Sequence, residues 1–173
     1  MPKQKFPLAD VYQLLGSGPT VLISTSLKGK YNVMPIAWTT PLDFKPPIIA
    51  CCIGDHSYTF QIVKRTKEFV INIPTANLVK KVVGCGSVSG RKVDKFKKFK
   101  LTPEPASKIK APLVKECYVN LECKVIDSSL INKYNLFIVK VVAAWMERGI
   151  KHPRTIHHIT GKRFILGGRE ISA

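Results

Sequence analysis

TVLISTSLKGKYNVMPIAWTTPLDFKPPIIACCI, residues 20–53, sets the fold class. Residues 20–26 are β-branched and apolar, and LKGKYN offers a hairpin turn into a second strand over 33–38. Pro46 and Pro47 then force extended backbone into IIACCI at 48–53, a short unbroken apolar run of the kind found in buried strands. Beyond GDHS the period changes. Phe60, Ile62, Val63 and Phe69, interleaved with Lys64, Arg65 and Lys67, predict a helix of about two turns with Ser57 as its N-cap. It leads into the strand EFVINI at 68–73. Leu78, Val79, Val82 and Val83 predict a second short helix over 76–83 that ends at Gly84, where GCGSVSGRKVDKF, 84–96, begins as a loop. YVNLECKVID at 118–127 alternates as a strand, NLFIVKVVAAW at 135–145 reads as a longer one, and RTIHHI and RFILGG form a last extended pair. On the other side, Leu8 to Leu15 predicts a short helix stopped by GSGP at 16–19. Many short strands with few short helices imply a mainly β fold, a closed β-barrel carrying short helical insertions. No repeat or linker-like tract interrupts it, so one domain over 1–173 is expected.

The chain has 28 Lys and Arg against 11 Asp and Glu, a formal charge of +17 that attracts phosphate, dinucleotide, nucleic acid or lipid surface alike. RKVDKFKKFK at 91–100 holds six of those 28 charges, and most of its lysines read as a solvated basic face. The five cysteines form no C-x-x-C pair and are odd in number, which suggests reduced thiols in a cytoplasmic protein. No apolar stretch follows the lysines of residues 1–6, and none approaches the roughly 18 residues of a membrane span, so no membrane association is expected. His56, His152, His157 and His158 lack partners at metal-ligand spacing, and no metal is expected.

Three segments carry anion- or ring-binding chemistry. In DHSYTFQIV, residues 55–63, Ser57 and Thr59 stand at a helix start, where free N–H groups and the positive end of the dipole favour an anion. An ordinary N-cap uses the same residues. In the loop 84–95, Gly86 and Gly90 allow close backbone approach while Ser87, Ser89, Arg91, Lys92 and Lys95 supply donors and charge. The loop has neither G-x-x-x-x-G-K-[ST] nor G-x-G-x-x-G, so nucleoside triphosphatase and Rossmann chemistry are not supported, and a flexible basic loop is the alternative. In NVMPIAWTTPLDFKPP, residues 32–47, Asn32, Trp38, Thr39 and Thr40 interrupt a strand-like stretch, and Trp38 is either a core residue or the edge of an aromatic-ligand site.

In order, Asn32, Ala37-Trp38, Pro46-Pro47, Ser57-Tyr58-Thr59, the E-F-V-x-N of residues 68–72 and the S-G-x-x-x-D-K-F of residues 89–96 resemble the flavin reductase-like family, including the flavoredoxins. The resemblance runs from about residue 18 to 168, with its specific part at 32–96. It implies a split β-barrel of Greek-key type that binds FMN. It further implies that Asn32, Ala37, Trp38, Thr39 and Thr40 meet the ring and ribityl chain, that Ser57 and Thr59, helped by Ser89 and Lys95, hold the phosphate, and that Tyr58 between them is also a cofactor-binding residue. Phe164 matches a family aromatic that reaches the flavin. The chain departs from the family at Lys133-Tyr134-Asn135, where many relatives carry a histidine.

What the resemblance implies for activity is an FMN-dependent oxidoreductase. It would be either an NAD(P)H-dependent flavin reductase or a flavoredoxin-like electron carrier served by a redox protein, and in either case a homodimer. The flavin carries the chemistry, so no side chain is singled out as catalytic. The competing reading is a basic barrel that binds nucleic acid without a redox role, with Phe96 and Phe99 among the lysines as its stacking surface. It leaves the ordered motifs unexplained.

Overall fold

The computed structural model describes residues 3–9, 11, 18–167 and 172. The first half of the chain forms β1 (Lys3–Lys5), β2 (Val21–Leu27), β3 (Lys30–Ile36), β4 (Thr39–Phe44), β5 (Pro47–Cys52), helix α1 (Tyr58–Thr66) and β6 (Glu68–Ile73). A 3-10 turn at Ala76–Leu78 leads into α2 (Val79–Ser87), α3 (Lys95–Lys98), and the short strands β7 (Pro103–Glu104) and β8 (Leu113–Val114). After β9 (Val119–Asp127), α4 (Ile131–Tyr134) and β10 (Leu136–Glu147) comes the hairpin of β11 (Ile156–Thr160) and β12 (Arg163–Leu166). The helix expected at 8–15 falls largely outside the described residues, as does Gly168 of the last extended pair.

The main sheet is antiparallel, in the order β3-β2-β6-β9-β10-β5-β4, with β1 joined to β10. The fold is thus mainly β and split-barrel-like. Closure was the expectation from sequence, but the ladder is an open path whose ends, β3 and β4, share no pairing among the described residues. Strand β10 is the pivot: Leu136 to Lys140 pair with β5, whereas Trp145 to Glu147 pair with β1. Register shifts after Ile138 and Val141 bend it, as bulges do in a strongly curved sheet.

Sequence dictates these elements locally. Lys28 and Gly29, both at positive φ, make the two-residue turn that matches strand twist in the β2–β3 hairpin. Val21 to Thr25 are all buried, since the two faces of β2 serve different cores. Val21 and Ile23 pack with Phe69, Ile71, Leu121 and Phe137, while Leu22 packs with Val33, Val82, Cys85 and Phe96 under α2 and α3. Burying a side chain such as Phe69 or Phe137 contributes about 1.5–3 kcal/mol. Asn72, the asparagine of the E-F-V-x-N strand, is a buried cross-link. Its Nδ2 donates to Leu22 O and Ser24 Oγ, both at 2.9 Å, and its Oδ1 accepts from Val114 N and Asn120 Nδ2.

Two local readings change. Helix α2 continues past Gly84 to Ser87, because both glycines are packing positions: a Cβ on Gly84 would collide with the Phe99 ring, and one on Gly86 would press on Pro35 Cγ at 3.1 Å. That close approach outweighs the intrinsic cost of glycine in a helix, about 1 kcal/mol. The run 91–100 is also not uniformly solvated. Asp94 caps α3 by accepting from Lys97 N at 3.1 Å, and the cap turns Lys95 and Phe96 inward, where both are buried. Among the described residues no helix is long and apolar enough to cross a membrane.

Candidate functional site

Helix α1, strand β3 and the segment 86–95 converge on one cleft of about 300 Å³, walled by Asn32, Ser57, Tyr58, Thr59, Ser89, Gly90 and Lys95 among others. Each wall follows from local structure. Ser57 is the N-cap of α1; its Oγ accepts from Phe60 N at 3.0 Å and keeps its own O–H to donate. The first N–H groups of the helix have no intrahelical acceptor. Thr59 is buried, and its Oγ1 accepts from Asn32 Nδ2 at 2.9 Å, so its hydroxyl proton is likewise free for a ligand.

Asn32, on β3, is 2% exposed, and its Oδ1 has no hydrogen-bond partner among the described residues. Such an atom is costly unless something else completes it, by about 1–3 kcal/mol. Gly90 lies against the same amide, and a Cβ there would overlap Oδ1. Ser89 shapes this turn: its carbonyl accepts from Lys92 N and Val93 N at 3.1 Å, and its Oγ from Arg91 N at 3.3 Å.

Lys95 is 4% exposed and donates from Nζ to Cys85 O at 2.7 Å. Among the described residues no carboxylate pairs with it, and burial pulls its ammonium below the ordinary lysine value. Burial likewise pushes the Cys85 thiol up to about 11, with Lys95 and Lys81 opposing the shift. A buried cation without a counter-ion, beside a helix N-terminus and two free hydroxyl donors, is arranged for an oxyanion.

Two further clefts adjoin this one. Through Gly86 and Ser87 it meets a more apolar cleft of about 440 Å³, walled by Pro35, Ala37, Val82, His158 and Phe164 among others. Phe164 is held there by an edge contact with His158, ring centroids 5.2 Å apart. Through Tyr58 and Gly90 it meets a basic groove of about 690 Å³.

Of the residues expected at the site, Asn32, Ser57, Tyr58, Thr59, Ser89 and Lys95 share the first cleft, and Ala37 and Phe164 share the second. The structure brings Trp38, Thr39 and Thr40 to none of the three. Trp38 is neither core nor a wall of these clefts: it is 74% exposed, and its carbonyl accepts from Cys52 N at 3.0 Å. Thr39 is buried, its Oγ1 without a hydrogen-bond partner among the described residues, and Thr40 donates to Pro41 O at 3.4 Å. Gly86, expected to allow close backbone approach from a loop, does so from the last turn of α2, and sequence reasoning missed His158, considered as a metal ligand; its place opposite Phe164 on the last hairpin was the available signal.

The flavin reductase like domain family matches residues 15–165 of the chain. An uncharacterized protein of Archaeoglobus fulgidus is 37% identical over 123 residues, 71% of this chain and 69% of that protein. The crystal structure of an FMN-binding domain of a flavin reductases-like enzyme from Shewanella baltica superposes with a TM-score of 0.93 at 29% identity, covering 99% of this chain and 97% of that one. A flavoredoxin from Methanosarcina acetivorans gives a TM-score of 0.79 at 27% identity, covering 90% and 87%.

Proposed function

The chain belongs to the flavin reductase-like family, and we propose that it binds FMN non-covalently and acts as an NAD(P)H-dependent flavin reductase. The observation that carries this reading is Lys95, a buried ammonium with no carboxylate partner among the described residues, on the same cleft as the α1 N-terminus. The residues fit the cofactor. Ser57, Thr59 and Lys95 would hold the phosphate; the orphaned Asn32 Oδ1 would accept from a ribityl hydroxyl; Pro35, Ala37 and Phe164 offer an apolar surface to a ring. Bound FMN supplies the redox chemistry, and the chain's part is to bind, orient and exclude water. The charge of +17 draws anionic nucleotides toward the site.

A flavoredoxin-like electron carrier is the second reading, favoured by the likeness to the Methanosarcina flavoredoxin. In either role we assign a homodimer. The edge strand β4 carries Leu42 and Phe44, 54% and 59% exposed, directly after the exposed Trp38, and a second copy would cover them. The five free thiols favour a reducing compartment, the cytoplasm.

The absorption spectrum of the purified protein, before and after titration with FMN, tests the cofactor. Steady-state oxidation of NADH and NADPH with free FMN then tests the role. Turnover is expected of a reductase, flavin binding without turnover identifies a carrier, and a protein that takes up no flavin overturns both.

A further inference from the structure

Two titratable side chains, His158 and Lys162, border the apolar cleft, and both come from the last hairpin. Strand β3 and helix α2 bring it apolar side chains, Gly86 and Ser87, and no carboxylate borders it among the described residues. Of the two, only histidine ordinarily changes charge between pH 5 and 8.

The fold fixes His158 in three ways. Its backbone N–H donates to Thr20 Oγ1 at 3.1 Å, its ring stands edge-on to Phe164, its partner across the hairpin, and its Nε2 lies 3.1 Å from Gly161 O in the turn. A carbonyl oxygen can only accept, so Nε2 carries the hydrogen and the free lone pair of the neutral ring is on Nδ1. Nδ1 has no hydrogen-bond partner among the described residues. Protonation there adds a donor and a positive charge while the Gly161 contact is kept. His157 is placed differently: it pairs with Ile165 on the opposite face of the hairpin, and its Nε2 is engaged with Thr155 Oγ1 at 3.0 Å.

We propose that His158 holds a proton at Nδ1 when the bound flavin is reduced and releases it when the flavin is oxidised, which raises the reduction potential on the acid side of neutrality. The inference rests on reading the apolar cleft as the ring site. A flavin that takes up two electrons and one proton gains one negative charge, and the second proton, on His158, balances it. In the reductase role NAD(P)H supplies both electrons and the first proton as a hydride, and solvent supplies the second. Opposite charges attract strongly between apolar walls, which is what ties the proton to the electrons. Lys162 on the same cleft, followed by Arg163 at the start of β12, opposes this protonation, so the charge on the ring must outweigh both.

The test is the midpoint potential of bound FMN, followed by dithionite titration from pH 5 to 9 in the wild type, His158→Gln, His158→Lys and His157→Gln. Repeating it with riboflavin removes the phosphate, whose own second proton titrates near pH 6. At pH 5, His158→Gln should favour reduced flavin about tenfold less than the wild type, about 30 mV for a two-electron couple, and the two should agree at pH 9. His158→Lys, a fixed cation, should keep the higher potential and lose the added pH dependence. His157→Gln should follow the wild type. In the unsubstituted protein, NMR of the His158 ring should show protonation favoured about tenfold when the flavin is reduced, a readout that stands even where a variant fails to fold. Coincident curves for the wild type and His158→Gln overturn the proposal, as does an offset that is the same at every pH, the mark of a packing role. Protonation of His158 indifferent to reduction overturns it too. A protein whose spectrum shows uptake of neither flavin overturns the ring reading itself, and this inference with it.

Discussion

Gly90 packs so closely against Asn32 that a single methyl at residue 90 would overlap the Asn32 amide oxygen, while the other end of that amide donates to Thr59 at 2.9 Å. Strand β3, helix α1 and the turn before α3 are locked at one point by this contact. Gly90→Ala should rotate Asn32 away from Thr59 and loosen the cleft. We expect FMN affinity to fall about tenfold with the fold retained, read by quenching of flavin fluorescence and by circular dichroism. Unchanged affinity would mean the contact does not shape the site.

In the proposed phosphate cleft, Lys95 should set the alkaline limit of binding. Burial lowers its pKa, so its charge is lost as pH rises through a value below that of ordinary lysine, and phosphate affinity should fall over that window. On the acid side affinity should fall below about pH 6, where a phosphate monoester takes up its second proton. In Lys95→Met the alkaline limb should vanish and the acid limb persist, a contrast read from FMN dissociation constants across pH.

Glu122 holds the loop 105–112 to the sheet. Its Oε1 accepts from Ser107 N, Ser107 Oγ and Trp145 Nε1, and its Oε2 from Lys108 N at 2.7 Å. Burial pushes this carboxyl up, but the four hydrogen bonds together outweigh it, and the folded-state pKa lies below the ordinary value. Its stabilisation is therefore complete above the unfolded-state carboxylate pKa and lost as pH falls through the lowered folded one. Glu122→Gln sets an amide donor against a backbone or side-chain donor and should cost about 1–3 kcal/mol in denaturant unfolding, without altering FMN affinity in the folded protein.

The strands were legible because apolar residues recur at every second position, as Val119, Leu121 and Cys123 do, although Asn120 and Glu122 between them are buried too, and because Lys28-Gly29 can satisfy the turn. β1 was not: Lys3, Gln4 and Lys5 carry no strand signature and are extended only because the tail of β10 offers partners. The fate of Lys95 was equally hidden. A lysine among lysines reads as solvent-facing until the Asp94 cap and the Cys85 carbonyl are seen to draw it inward. The motif around it becomes physical in retrospect: Gly90 for approach to Asn32, Asp94 for the cap, Lys95 for charge, Phe96 for the core. Trp38, by contrast, faces outward, and no local rule distinguishes an exposed tryptophan from a buried one.

That exposed tryptophan, with Leu42 and Phe44, leads to an oligomer prediction. Phe44→Glu should place a charge in the proposed β4 interface and shift sedimentation from dimer to monomer. A wild-type protein that sediments as a monomer at micromolar concentration would remove the interface from the account.

The central claim, that one cleft built from α1, Asn32 and Lys95 grips a monophosphate, is tested most directly by comparing the affinities of FMN and riboflavin, which differ only in that phosphate. The account predicts FMN binding roughly ten- to hundredfold tighter, with the gap collapsing in Lys95→Met. Equal affinities for the two flavins, or a gap untouched by the substitution, would contradict it.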